Sequence, residues 1–389
     1  MNDAAPNGMP GGPADRMPGE MPWHPHHPVL EALRARRERP GVPGDRPDGL
    51  RIGLAVEGGG MRGVISAAML AALEDLGIPY TSFDVIFGTS SGAINCAYYV
   101  GGDTWYPLTI YFDDLGTREF VDFRRAFGGN ILNLDYALGH IVSRVKPLDV
   151  AALVDSPVPV HITMTNVDEL RTESVAKYAS GDEVMAALRA SMWLPVAIRG
   201  TTRFRDFRAV DGGVLTAHPF QLALNDGCTH VLSLSTRPIQ PPRPRLNLMH
   251  WLTHRHLEKL QKGLGSGYLD AVRRYRVDRV RLQQRMREPG EAPYVLDLAP
   301  LSHMTEVKRH EIRLGHLIAG ARQGYELMCC AIEGLDPSTV RSGGVQALPR
   351  FTFVRREHGA TPSRLPRPDA DHDLRQAAEK PGGPGGLDG

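Results

Sequence analysis

The chain has 389 residues, a formal net charge of +1 and an apolar fraction of 42%, which is enough for one large domain or two modest ones with a sizeable core. Its 45 basic and 44 acidic side chains nearly cancel, so no charge excess argues for nucleic acid as a partner. No stretch reaches the length of a transmembrane helix. The opening MNDAAPNGMPGGPADRMPGE lacks the charged start and apolar centre of a signal peptide, and a cytoplasmic protein is expected.

Residues 1–49 are rich in Pro, Gly, His and Met without apolar periodicity, the composition of a disordered or loosely draped arm. The cluster Trp23-His24-Pro25-His26-His27 has metal-binding side chains but no ordered frame around them, so no metal is expected. Next, 52–56 is short and apolar like a strand, and 61–76 has apolar residues at helical spacing, ended by Gly77. The runs 83–87 and 91–100 repeat that strand-then-helix order. Further strands are expected at 158–165, 173–177, 204–210, 229–235 and 294–298, with helices at 183–191, 219–225 and 306–332. Strands alternating with helices point to a layered α/β domain with a largely parallel sheet.

The stretch 246–287 reads as helical and basic, with Arg273, Arg274, Arg276, Arg279, Arg281, Arg285 and Arg287 close together. Such a helix can contact an anionic membrane at its surface, or be a solvated face interspersed with Asp270 and Asp278. Residues 355–389, ending EKPGGPGGLDG, read as a second disordered tail. The four cysteines, Cys96, Cys228, Cys329 and Cys330, have neither metal-ligand nor disulfide-framework spacing; buried, reduced thiols are expected. The histidines show no H-E-x-x-H spacing.

Two Gly-rich turns carry the chemistry. Gly88-Thr89-Ser90-Ser91-Gly92 fits the G-x-S-x-G elbow, in which glycines make room for a sharp strand-to-helix turn presenting the central serine. The apolar FDVIF before it and the helical pattern behind it are the context an elbow needs, and the new helix brings unpaired N–H groups near Ser90. Gly58-Gly59-Gly60 lets backbone approach a ligand closely and is a candidate oxyanion hole, through the amides of Gly59 and Gly60 in particular. A nucleotide reading competes, since Gly58, Gly60 and Gly63 match G-x-G-x-x-G. However, the second strand runs straight into GTSSG and no acidic residue ends it as the dinucleotide fold requires. The α/β-hydrolase order of Ser, Asp or Glu, then His fits poorly, because only one clear strand precedes the elbow. Asp211, at the end of an extended run and followed by Gly212-Gly213, is the better base: a carboxylate held against the serine hydroxyl can take its proton. An ordinary Asp-Gly-Gly turn is the alternative.

These three motifs in this order resemble the patatin-like phospholipases. ASMWLPVAIRG at 190–200 matches the approach segment of that family, and a bacterial branch of predicted esterases carries the same EGGGMRG loop. The resemblance covers roughly 51–238. It implies a three-layer α/β/α fold over 50–354 with a mainly parallel sheet, and a Ser–Asp dyad needing no metal or cofactor. It further implies Ser90 as nucleophile, Asp211 as base, Gly58, Gly59, Gly60 and Arg62 as the oxyanion loop, and Gly88, Gly92, Gly212 and Gly213 as motif glycines. Glu57 departs from the common Asp, and His218 before Pro219 from the common small polar residue. The activity implied is hydrolysis of lipid or other carboxylic esters through an acyl-enzyme. A membrane-associated regulatory protein on the same fold, or an acyltransferase passing the acyl group to another acceptor, is the alternative. Oligomeric state is not legible.

Overall fold

The computed structural model describes residues 21–239 and 246–337. The short apolar runs become the strands of one eight-stranded sheet. In chain order these are β1 (Ile52–Val56), β2 (Val85–Thr89), β3 (Val160–Asn166), β4 (Arg171–Val175), β5 (Thr202–Phe204), β6 (Phe207–Asp211), β7 (His230–Leu234) and β8 (Tyr294–Leu298). Their spatial order is β5-β6-β3-β2-β1-β7-β8, with β4 also on β3. The five strands from β3 to β8 are mutually parallel, while β4, β5 and β6 pair antiparallel.

Side-chain alternation along the central strands sorts residues into two cores, as a sheet covered on both faces requires. Leu54, Ile86, Leu232 and Leu296 face one core. Helices α1 (Pro28–Glu38), α2 (Gly63–Asp75), α3 (Ser91–Val100) and α10 (Leu314–Glu333) supply its other side. Ala55, Phe87, Val231 and Val295 face the other core, against α7 (Phe220–Asn225) and α9 (Leu264–Arg287). The result is a three-layer α/β/α fold. Two short helices, α4 (Trp105–Leu108) and α5 (Val150–Val154), flank a wide π-helical stretch at Asp135–Val145; α6 (Gly181–Ser191) packs on β3, and α8 (Leu248–Leu260) precedes α9.

Several expectations are corrected. Within the expected loose arm, α1 is an ordered helix, started by Pro28 and burying Val29, Leu30 and Leu33. His27, from the histidine cluster, is buried, and its ring accepts the Val29 N–H at 3.2 Å. Burial pulls its pKa down to about 4, so it stays neutral while capping α1. Residues 1–20 and the expected tail at 355–389 lie outside the described residues. The single extended run at 204–210 is a hairpin, turned at Arg205 with φ 51°. The basic stretch breaks at Gly263 (φ 94°) into α8 and α9. Along α9, Arg279 is buried while Arg273, Arg274, Arg281 and Arg287 are exposed. All four cysteines are buried and none forms a disulfide. Among the described residues no helix is long and apolar enough to cross a membrane.

One buried ionic cluster ties α1 to the start of the sheet. Arg36 donates to Asp84 Oδ2 and Asp48 Oδ2, both at 2.8 Å, and to the carbonyls of Ser82 (2.8 Å) and Leu50 (2.9 Å). Asp84 also accepts from Arg46 Nε (2.8 Å) and from the Ile52 N–H (2.7 Å). It therefore anchors the beginnings of β1 and β2, the two strands whose far ends carry the Gly-rich turns. Removing the central cation leaves Asp84 with Arg46 alone as counter-ion and strips the Ser82 and Leu50 carbonyls of their donor, so Arg36→Met is expected to lose about 1–3 kcal/mol of stability. Urea denaturation checks this, and an unchanged midpoint contradicts it.

Candidate active site

Ser90 sits between β2 and α3 with φ 55° and ψ −125°, a conformation that strains any residue other than glycine and persists only where the surroundings impose it. The surroundings do so through close backbone contact. A Cβ on Gly92 would lie 2.4 Å from the Val56 carbonyl oxygen, and one on Gly58 would lie 2.8 Å from Ser90 Cβ. The two Gly-rich turns are therefore packed backbone to backbone, and any side chain at either glycine pushes them apart.

Asp211 reaches the same place by a different route. Along β3, β2 pairs with residues 160–163 and β6 with residues 164–166. The opposite edge of β3 is taken by β4 over 162–166, so β2 and β6 share one edge end to end. β2 runs parallel to β3 and ends with Thr89 opposite Thr163; β6 runs antiparallel and ends with Asp211 opposite Met164. The C-terminal ends of both strands thus converge on neighbouring positions, and the next residues leave the sheet at one point.

Ser191 locks that junction. The Ser90 N–H donates to Ser191 Oγ at 2.8 Å, and Ser191 Oγ donates to the Thr163 carbonyl at 2.6 Å. Ser191 belongs to the 190–200 segment quoted from the sequence, but nothing in that motif reveals this bridge. Two residues on, the Trp193 carbonyl accepts the Asp211 N–H at 2.8 Å. The Asp211 carboxylate is nearly buried (5% exposed). Its Oδ1 accepts the Gly213 N–H at 2.7 Å. Burial raises its pKa above the ordinary carboxylate value, against the opposing pull of the Ser90 hydroxyl and the Gly213 N–H.

The Gly-rich loop divides its amides. Gly59 N–H donates to Ser91 Oγ at 2.8 Å, whereas the Gly58 and Gly60 amides have no acceptor among the described residues. The Gly59 amide of the expected Gly59–Gly60 pair is thus engaged within the protein, and those of Gly58 and Gly60 are not. Behind the loop Tyr111 Oη donates to Asn95 Oδ1 (2.8 Å), and Asn95 Nδ2 donates to the Gly63 carbonyl (2.9 Å), joining α2 to α3. The Met61 N–H donates to the Arg309 carbonyl at 3.0 Å, so a segment far downstream closes the loop's outer side.

Ser90, Asp211, the three loop glycines and Arg62 line one cavity of about 790 Å³, within the range of small-molecule sites. Ile110, Leu115, Phe120 and Leu134, from the irregular region between α3 and β3, form an apolar wall. Arg237 and Arg309, which no motif singles out, line it as well. Among the described residues no group of His, Cys, Asp and Glu is arranged to hold a metal ion.

A second constellation of Ser, His and Asp has a structural role. Ser233 Oγ and Ser235 Oγ both donate to Asp297 Oδ1 at 2.8 Å, and His218 Nε2 lies 2.9 Å from Ser233 Oγ. Ser233 and Ser235 are fully buried, and neither they, His218 nor Asp297 lines the cavity. Asp297 instead holds Arg279 Nη1 at 3.1 Å. The unusual His218 is thus part of a brace between β7, β8 and α9.

Comparison with known proteins bears on the same segment. Residues 54–224 match the family model described as patatin-like phospholipase. That span holds both Gly-rich turns and Asp211, and stops short of Arg237 and Arg309. An uncharacterized protein of Escherichia coli K12, YjjU, is 25% identical over 71% of this chain and 74% of its own length. Lysophospholipase nte1 of Aspergillus terreus is 31% identical over 38% of this chain. The chain spans only 9% of that much longer protein. The solved structure of VipD from Legionella pneumophila aligns over 72% of this chain and 66% of its own at 13% identity, with a TM-score of 0.38, too distant to carry an argument.

Replacing Ser191 by Ala leaves the Ser90 N–H and the Thr163 carbonyl without their shared partner. A loss of about 1–3 kcal/mol is expected, read by chemical denaturation, with Ser191→Thr retaining most of it. An Ala variant within about 0.5 kcal/mol of the parent contradicts the bridge.

Proposed function

From the match of residues 54–224 to the patatin-like phospholipase family model, we propose that the chain is a lipid hydrolase that cleaves carboxylic esters through a Ser90–Asp211 dyad. The observation that carries this reading is the convergence of β2 and β6 on one edge of β3, which sets a strained serine beside a nearly buried carboxylate.

In this reading Asp211 takes the Ser90 proton as Ser90 Oγ bonds to the ester carbonyl carbon, whose π electrons move onto oxygen. The Gly58 and Gly60 amides receive that oxyanion, aided by the N-terminal end of α3. The tetrahedral intermediate collapses, the C–O bond to the alcohol breaks, and the alcohol leaves with the proton held by Asp211. Water then adds to the acyl-enzyme with Asp211 again as base, releasing the carboxylic acid and restoring Ser90. Gly213, bonded to Oδ1, orients the carboxylate and leaves Oδ2 for the serine. The apolar wall suits an acyl chain.

Ser90→Ala is expected to abolish turnover of a neutral p-nitrophenyl ester, and Asp211→Asn to lower kcat at least about 100-fold. The raised pKa of Asp211 sets the pH dependence. As base it must be ionised, so kcat/KM falls as pH drops through a value above the ordinary 3.8. Full activity in either variant, or an acid limb at or below that value, contradicts the dyad.

A further inference from the structure

One side of the cavity carries more positive charge than its own carboxylates balance. Among the described residues five arginines line the cavity, Arg62, Arg237, Arg276, Arg279 and Arg309, against the carboxylates Glu57, Asp211 and Glu306. Arg279 is matched by Asp297 and by the carbonyls of Arg237 and Pro238. Arg62 has one long contact, Nε to Thr236 Oγ1 at 3.4 Å, and among the described residues no carboxylate comes within hydrogen-bond range of Arg62, Arg237 or Arg309. Glu57 lies among them, but its oxygens are already engaged: Oε2 accepts from Thr236 N–H (2.7 Å) and Thr236 Oγ1 (3.0 Å), and Oε1 from Tyr275 Oη (2.8 Å). It meets Arg237 Nε only at 3.7 Å, beyond hydrogen-bond range.

Arg62 Nη2 and Arg237 Nε are consequently buried with no acceptor among the described residues. Arg62 is disfavoured by its neighbours: burial, then Arg237 and Arg309, pull its pKa down to about 9. Against its burial, Tyr275 and Glu57 hold that of Arg237 up. Unmatched donors and mutually repelling cations in a concave wall are costly unless an anion completes them. Guanidinium forks match the several oxygens of a phosphate.

The cluster also borders the Gly-rich loop. The Arg309 carbonyl accepts the Met61 N–H, and a Cβ on Gly60 would lie 3.0 Å from Arg309 Cγ. Arg237 is steadied by its position 4.6 Å over the Tyr275 ring. An anion seated here borders the Gly-rich loop, whereas the apolar wall that suits an acyl chain comes from the region between α3 and β3, and so the anion is assigned to the alcohol half of an ester.

We propose that Arg62, Arg237 and Arg309 form a phosphate subsite that selects lipid esters whose head group is a bare phosphomonoester over those whose phosphate is capped by a cationic amine. A quaternary ammonium would face this arginine wall, where Glu57 is already engaged. The proposal rests on Ser90 as nucleophile, because that fixes which side of the ester faces the wall.

The test uses full-length Ser90→Ala protein, which binds without turning over. It is titrated calorimetrically with an eight-carbon monoacyl glycerol phosphate, the matching monoacylglycerol and the matching glycerophosphocholine. Charge-assisted bonds to two or three guanidiniums predict that the phosphomonoester binds about 10- to 100-fold tighter than either other ligand. Adding Arg237→Gln, or separately Arg309→Gln on an exposed side chain, is expected to remove most of that preference. Inorganic phosphate is expected to compete with the phosphomonoester, which shows that the group recognised is the phosphate itself. Equal affinities for the three ligands, or a preference untouched by both arginine variants, overturns the subsite. If the unaltered enzyme still hydrolyses the neutral ester in that case, only the subsite falls. A preference that persists while the unaltered protein hydrolyses none of the three supports the subsite and overturns the hydrolase reading.

Discussion

The arrangement depends on one shared strand edge. β2 and β6 approach from opposite directions along β3 and stop at Thr163 and Met164. Ladder pairing fixes each strand's register, so the positions of Ser90 and Asp211 are set by backbone hydrogen bonds rather than by flexible side chains. A one-residue slip in either strand turns its side chains to the other face of the sheet and separates the pair. Ser191 reinforces the junction from a third element, bonding both Ser90 and Thr163. The strained backbone at Ser90 is tolerable because so much around it is rigid.

The same region concentrates unfavourable electrostatics. Asp211 is pushed towards its neutral form by burial, whereas Glu57, equally enclosed, is held down at about 2 because Arg237, His218, Arg62 and Arg279 outweigh its burial. Two carboxylates in neighbouring surroundings are thereby driven apart, the pattern that separates a titrating base from a fixed counter-ion. Glu57 draws together the end of β1, the segment just after β7 and α9 through Thr236 and Tyr275. In doing so it assembles the arginine wall without neutralising it.

Much of this fold is legible in the sequence because its signals are local. The runs at 52–56 and 294–298 coincide with β1 and β8, and 91–100 with α3, since each is a compact apolar run bounded by turn residues. The Gly-rich turns and Asp211 are likewise readable as motifs, but their meeting depends on strand pairing between distant segments. Ser191, Arg237 and Arg309 act through partners far away in the chain, and no local pattern marks them. Helix α1 is masked by its Pro- and His-rich surroundings even though Val29, Leu33 and Arg36 lie on one face, where Arg36 finds Asp84. The irregular region between α3 and β3 builds the apolar wall from single turns and a π-helical stretch, which periodicity at 3.6 residues does not detect. His218 belongs to the buried brace around Asp297, a contact between distant segments that its place before Pro219 does not disclose.

The most direct measurement of the central claim is covalent trapping. The intact protein is treated with a fluorophosphonate, digested, and the modified peptide is identified by mass spectrometry. A single adduct on Ser90 is expected, forming much more slowly in Asp211→Asn. An adduct on another serine, or labelling at Ser90 indifferent to Asp211, contradicts it.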